Sequence, residues 1–105
     1  MDPVFVYLTA GSPDEARRIA RALVEERLAA CVNIIDGMTA VYRWEGAVEE
    51  GRETVMIAKT RADRFEELAA RVRALHSYTL PCIIEIPLGR GDAPYLDWLR
   101  AESAS

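Results

Sequence analysis

From Cys31 to Trp44 the chain is rich in β-branched and aromatic residues, Val32, Ile34, Ile35, Thr39, Val41, Tyr42 and Trp44, with Asp36-Gly37 as its one turn signal, and no other stretch limits the possible folds as much. Cys31 to Ile35 reads as a strand, and extended patterning resumes from Met38 to Trp44. Asp-Gly between two such runs is ordinarily a tight turn. The other reading is one long strand with a bulge at Gly37, followed by a hairpin over residues 45 to 52. It needs fewer elements, because the next strong strand is Glu53 to Thr60. A strand and hairpin of this length reach past what a small sheet can pair, leaving an exposed edge that a second copy of the chain would cover.

The remaining segments fit around that run. Val4 to Thr9 is apolar at nearly every position, as in a strand covered on both faces. Ser12-Pro13-Asp14-Glu15 opens a helix, with Ser12 as N-cap, Pro13 at the first helical position and Glu15 completing a capping box. Ala16, Ile19, Ala20 and Leu23 then form its apolar stripe. A second helix is predicted from Thr60 as N-cap and Asp63 at the third helical position, with Phe65, Leu68, Ala69, Val72, Leu75 and His76 on its inner face. Pro81 separates it from a strand, Cys82 to Ile86, closed by Pro87. Asp92 caps a short terminal helix carrying Tyr95, Leu96, Trp98 and Leu99. The order β-α-β-β-α-β plus a terminal helix predicts an α+β, ferredoxin-like fold: a four-stranded antiparallel sheet with two helices on one face.

At 105 residues the chain fits a single domain, 1–105, with one modest core. Its net charge of −4 and lack of a Lys/Arg run argue against nucleic acid as a partner. No apolar run approaches a membrane span and no basic leader precedes the first strand, so no membrane partner and a cytoplasmic location are expected. Cys31 and Cys82 form no CxxC pair and read as free thiols.

For nucleophilic catalysis the inventory is poor: one histidine, no Gly-x-Ser-x-Gly elbow and no Walker loop. A non-enzymatic role is therefore expected. His76, on the apolar face at a helix end, reads either as a satisfied C-terminal residue or as an imidazole ligand for copper or zinc, with Cys82 as a nearby soft donor. Cys31 is either a small buried hydrophobe or a third ligand. The acids Glu45, Glu49, Glu50 and Glu53 read as a solvated hairpin or as an attraction for hard cations. Tyr42 and Trp44 share one face of a strand and suit core or subunit interface equally.

Glu25-Glu26-Arg27-Leu28-Ala29-Ala30-Cys31-Val32-Asn33, Tyr42-Arg43-Trp44-Glu45-Gly46, Lys59-Thr60, His76-Ser77-Tyr78-Thr79-Leu80-Pro81 and Tyr95-Leu96-Asp97-Trp98 occur here in the order in which they occur in CutA, the divalent-cation tolerance family, and the chain resembles that family over nearly its whole length. The resemblance implies a ferredoxin-like homotrimer similar to the PII signalling proteins, linked to tolerance of copper and other divalent cations, with no established enzymatic activity and no required cofactor, a divalent metal such as copper or zinc being its candidate ion. Two positions depart from the family's His-Pro-Tyr-x-x-Pro-Glu: Ser77 stands for the proline and Cys82 for the glutamate. Leu8 and Leu75 occupy places where some members have further Cys or His. Metal ligands carried over are thus His76 and Cys31, with Cys82 as a soft addition. A rival role is a PII-like sensor holding a small anionic ligand or a partner protein in an intersubunit cleft, with Tyr42, Trp44, Glu45, Lys59 and Tyr78 around it.

Overall fold

The computed structural model describes residues 2–104. Its elements are β1 (Pro3–Ala10), α1 (Pro13–Glu25), β2 (Cys31–Trp44), β3 (Ala47–Arg61), α2 (Phe65–Leu75), β4 (Ile83–Pro87) and α3 (Ala93–Glu102), with a single 3-10 turn, Ala62–Arg64, leading into α2. The strands form one sheet in the order β2-β3-β1-β4, every neighbouring pair antiparallel. This is the predicted ferredoxin-like arrangement.

Alternation along the strands decides where the core lies. Val6 and Leu8 of β1 and Met56 and Ala58 of β3 face Ala16, Ile19 and Leu23 of α1 and Leu68 and Val72 of α2. All of these are almost wholly buried, so truncating one of the larger side chains to alanine costs about 2–5 kcal/mol. The opposite face carries Phe5, Tyr7, Val55, Ile57, Ile84 and Ile86, which the register places side by side. On that face α3 lies against β3 and β1, and Tyr95 accepts a hydrogen bond from Lys59. The stretch after α1 ties the layers together. Arg27, at φ 60°, donates to the carbonyls of Ala101 and Ala104 at the end of α3, and Glu26 pairs with Arg71 of α2.

Asp36-Gly37 is the bulge and not the turn. Ile35 pairs with Val55 and Met38 with Glu53, so two residues of β2 lie opposite the single Thr54. Gly37 takes φ 80°, and the Asp36 carboxylate accepts hydrogen bonds from Gly37 N–H and the Thr54 hydroxyl. The extra residue shifts the phase of β2. Cys31, Asn33 and Ile35 share a face with Met38, Ala40, Tyr42 and Trp44, whereas an unbroken strand would have turned those last four to the other side.

Two sequence expectations need correction. The hairpin loop is not residues 45 to 52: the turn is Glu45-Gly46 alone, both at positive φ (49° and 83°), between paired Trp44 and Ala47. That is the two-residue turn whose twist matches an antiparallel ribbon, and it lets the polar residues 47 to 52 pair as strand. Thr60 does not cap α2. It is fully buried in β3 and its hydroxyl donates to the Leu28 carbonyl at 2.7 Å, a tertiary bond that outcompetes the local cap. Since β1 pairs with β3 only from Thr54 onward, residues 38–53 form a two-stranded arm beyond the sheet, and the molecule measures 45 × 26 × 21 Å.

Candidate functional site

At the base of the arm, on the face away from α1 and α2, lies a cavity of about 640 Å³. Tyr42 and Trp44 of β2 and Glu49 and Glu53 of β3 form one wall, and the loop from Ser77 to Cys82, including Tyr78, forms the other. The bulge at Gly37 is what brings the two aromatics onto the same face as the two carboxylates. Between Glu49 and Glu53 stands Gly51, and the Tyr42 hydroxyl lies over it, 3.8 Å from where a Cβ would sit.

Two buried groups hold the loop wall in place. Glu15, 6% exposed, reaches back from the first turn of α1 to accept from Gly11 N–H at 3.1 Å and across to accept from Ser77 N–H at 2.7 Å. The capping box is thus displaced by one residue, because the carboxylate serves Gly11 and not Ser12, while Ser12 Oγ still accepts from Glu15 N–H. Burial alone would raise the Glu15 pKa, but the Ser77 and Gly11 hydrogen bonds and the neighbouring His76 outweigh it and hold the carboxyl below its ordinary 4.5.

His76 ends α2 in extended backbone, and its side chain is 1% exposed. A carbonyl can only accept, so the 2.7 Å contact with Thr9 O assigns the proton to Nε2, and Nδ1 then accepts from Tyr78 N–H at 3.0 Å. Both ring nitrogens are occupied inside the chain. The expectation of His76 as a metal ligand therefore meets a physical obstacle: a metal would have to displace Tyr78 N–H or Thr9 O. The bland reading of a satisfied, buried histidine describes this geometry.

Tyr78 carries the support on into the cavity. Its hydroxyl donates to Glu53 Oε2 at 3.0 Å, and burial together with that carboxylate pushes it up to about 12. Cys82 is exposed at the rim, and its thiol is raised by burial and then by Glu53.

The other predicted site residues lie elsewhere. Cys31 begins β2 opposite Lys59, remote from Cys82. The Lys59 ammonium sits over the rings of Phe5 and Tyr95 at 5.4 and 5.5 Å. From Glu53 to Lys59 the strand rises about 20 Å, so within one chain no cation joins Tyr42, Trp44 and Tyr78. Glu45 is spent on the turn at the tip of the arm. Among the described residues no three His, Cys, Asp or Glu side chains converge to hold a metal ion. A closed site does not fit within one chain.

A family model, CutA1 divalent ion tolerance protein, matches residues 4–102. The chain belongs to that family. A divalent-cation tolerance protein CutA from Thermus thermophilus is 53% identical over 95 residues, covering 90% of this chain and 92% of its own length. The CutA of Archaeoglobus fulgidus is 50% identical over the same shares. Among solved structures, the divalent cation tolerance protein Cut A1 from Thermus thermophilus superposes with a TM-score of 0.95 at 49% identity, covering 97% of this chain and 99% of that one. CutA membership accounts for the fold and for the succession of motifs, while the departures at Ser77 and Cys82 both fall on the cavity wall.

The sequence left Glu49 and Glu53 open between a solvated hairpin and an attraction for hard cations, and placed Gly51 in a loop. The signal was present in the alternation, since 49, 51 and 53 share one face once residues 47 to 52 are read as strand.

Proposed function

We propose that the chain acts in divalent-cation tolerance as a non-enzymatic homotrimer that receives the cation at the cavity below its arm. The observation that carries this reading is the pair of carboxylates, Glu49 and Glu53, on an aromatic wall with the Cys82 thiol at its rim. Carboxylate oxygens and a sulfur suit borderline ions such as copper or zinc. One chain closes no site, so the remaining positions fall to water or to a neighbouring copy, and affinity is modest.

The arm supports the trimer. Val41 and Val48, about two thirds exposed, lie on one of its faces, and Tyr42 and Trp44 lie on the other. Large apolar side chains left exposed on both faces of a thin arm suit contact with neighbouring chains, with Tyr42 and Trp44 lining a cleft between copies. The apolar sheet face with Ile84 and Ile86 supports the same reading, since an antiparallel sheet facing water on one side is normally polar there. The anion-sensor reading has less support, because Lys59 stands apart from the aromatics and the cavity carries negative charge.

Calorimetry with copper and with zinc tests the assignment. Glu49→Gln/Glu53→Gln is expected to weaken binding by at least about tenfold, or 1.4 kcal/mol. Cys82→Ser should weaken copper more than zinc. An isotherm unchanged in the double variant contradicts the reading.

A further inference from the structure

The cavity suits an elongated organic cation. We propose that it binds a linear diammonium ion, a diamine or polyamine, laid along β3 from Glu49 to Glu53 with its methylenes against Tyr42 and Trp44. This goes beyond the metal reading and does not rest on it, although both draw on the same carboxylates.

Size argues first. A cavity of about 640 Å³ lies in the range of organic-ligand sites and far exceeds what a bare ion fills. Charge comes second. Glu49 and Glu53 point into the cavity, while the arm's two arginines, Arg43 and Arg52, are out of phase in the register and fall on the opposite face. The lining therefore holds acids and no base. Tyr78 donates to only one oxygen of Glu53, leaving the other available.

Spacing decides the ligand's form. Four residues of strand separate the two carboxylate-bearing positions by about 13 Å, the reach of a diamine or short polyamine bound at both ends. Gly51, between them, carries no side chain of its own and the Tyr42 hydroxyl lies over it, 3.8 Å from where a Cβ would sit, so the Tyr42 and Trp44 rings flank the line between the two acids, where they attract ammonium groups and cover a methylene chain. An isolated metal ion uses neither that line nor the rings.

The test is calorimetry on chelator-treated, metal-free protein at low ionic strength, with Trp44 emission followed in a Trp98→Phe background. The probes are 1,6-diaminohexane, hexylamine, 1,6-hexanediol and hexanedioate. The diammonium is expected to bind about tenfold more tightly than hexylamine and to change Trp44 emission on saturation, while the diol and the dicarboxylate show no binding. Glu49→Gln and Glu53→Gln should each lower the diammonium to the monoamine's affinity. Equal affinity for the mono- and diammonium ions, preference for hexanedioate, full binding by the glutamine variants, or a Trp44 emission that no probe alters because a neighbouring chain fills the cavity would each overturn the proposal. Because no metal is present, these outcomes are separate from the fate of the metal reading.

Discussion

Glu15 does two jobs with one carboxylate, closing the first turn of α1 through Gly11 and anchoring the cavity wall through Ser77. Its folded pKa lies below the ordinary 4.5, so its stabilisation is present in full above that value and is lost as pH falls through the lowered folded value. Glu15→Gln should cost about 1–3 kcal/mol at pH 7 in urea unfolding and flatten the acid limb of the stability curve. A variant with the same acid limb as the parent would show that the carboxylate is not ionised in the folded state. Tyr78 offers an optical check. In a spectrophotometric titration one tyrosine should ionise at about 12, and Tyr78→Phe should remove that step. Some of this residue-level detail was legible: Ser12-x-x-Glu15 announces a cap. The rest was not, because the partners Ser77 and Thr9 of Glu15 and His76 lie 62 and 67 residues away and only the fold brings them near.

At the scale of elements, the arm depends on two local backbone decisions. At Glu45-Gly46 both residues take positive φ, which a non-glycine residue adopts at a cost of about 1–3 kcal/mol. Glu45→Asn should therefore raise stability by a few tenths to about 1 kcal/mol, since Asn-Gly is the preferred pair for this turn. Gly46→Ala should lower it by about 1 kcal/mol although nothing lies within 4 Å of the added Cβ, the loss being conformational. Thermal unfolding of both variants checks the signs, and a stabilised Gly46→Ala would refute the turn geometry. The bulge at Gly37 was legible because patterning resumed beyond it. The turn was not, because Val48, Glu49, Glu50, Gly51 and Arg52 look like a loop when their pairing with Thr39 to Arg43 is unknown. Thr60 misled for a related reason: a buried carbonyl, Leu28 O, claimed the hydroxyl that a local pattern assigns to a cap.

For the whole molecule, the claim is that chains assemble through the arm and the open sheet face, and that the cavity at the arm's base receives the cation. Trp44→Ala should shift a trimer mass toward the monomer in light scattering at micromolar concentration. A monomer mass for the parent chain would remove the assembly reading. Fold class and family were legible from periodicity and from the order of motifs, which depend on local sequence. The candidate site was legible only in part. Tyr42, Trp44, Tyr78 and Cys82 do meet, but Lys59 lies too far along β3, and His76 turns inward to support the wall. The most direct measurement is anomalous diffraction at the copper or zinc edge from crystals grown with the metal. The account predicts a peak in the cavity beside Cys82 and one of the two carboxylates, Glu49 or Glu53. A peak on the His76 ring with its bonds to Thr9 and Tyr78 broken, or a cavity without metal while another site is filled, would contradict it.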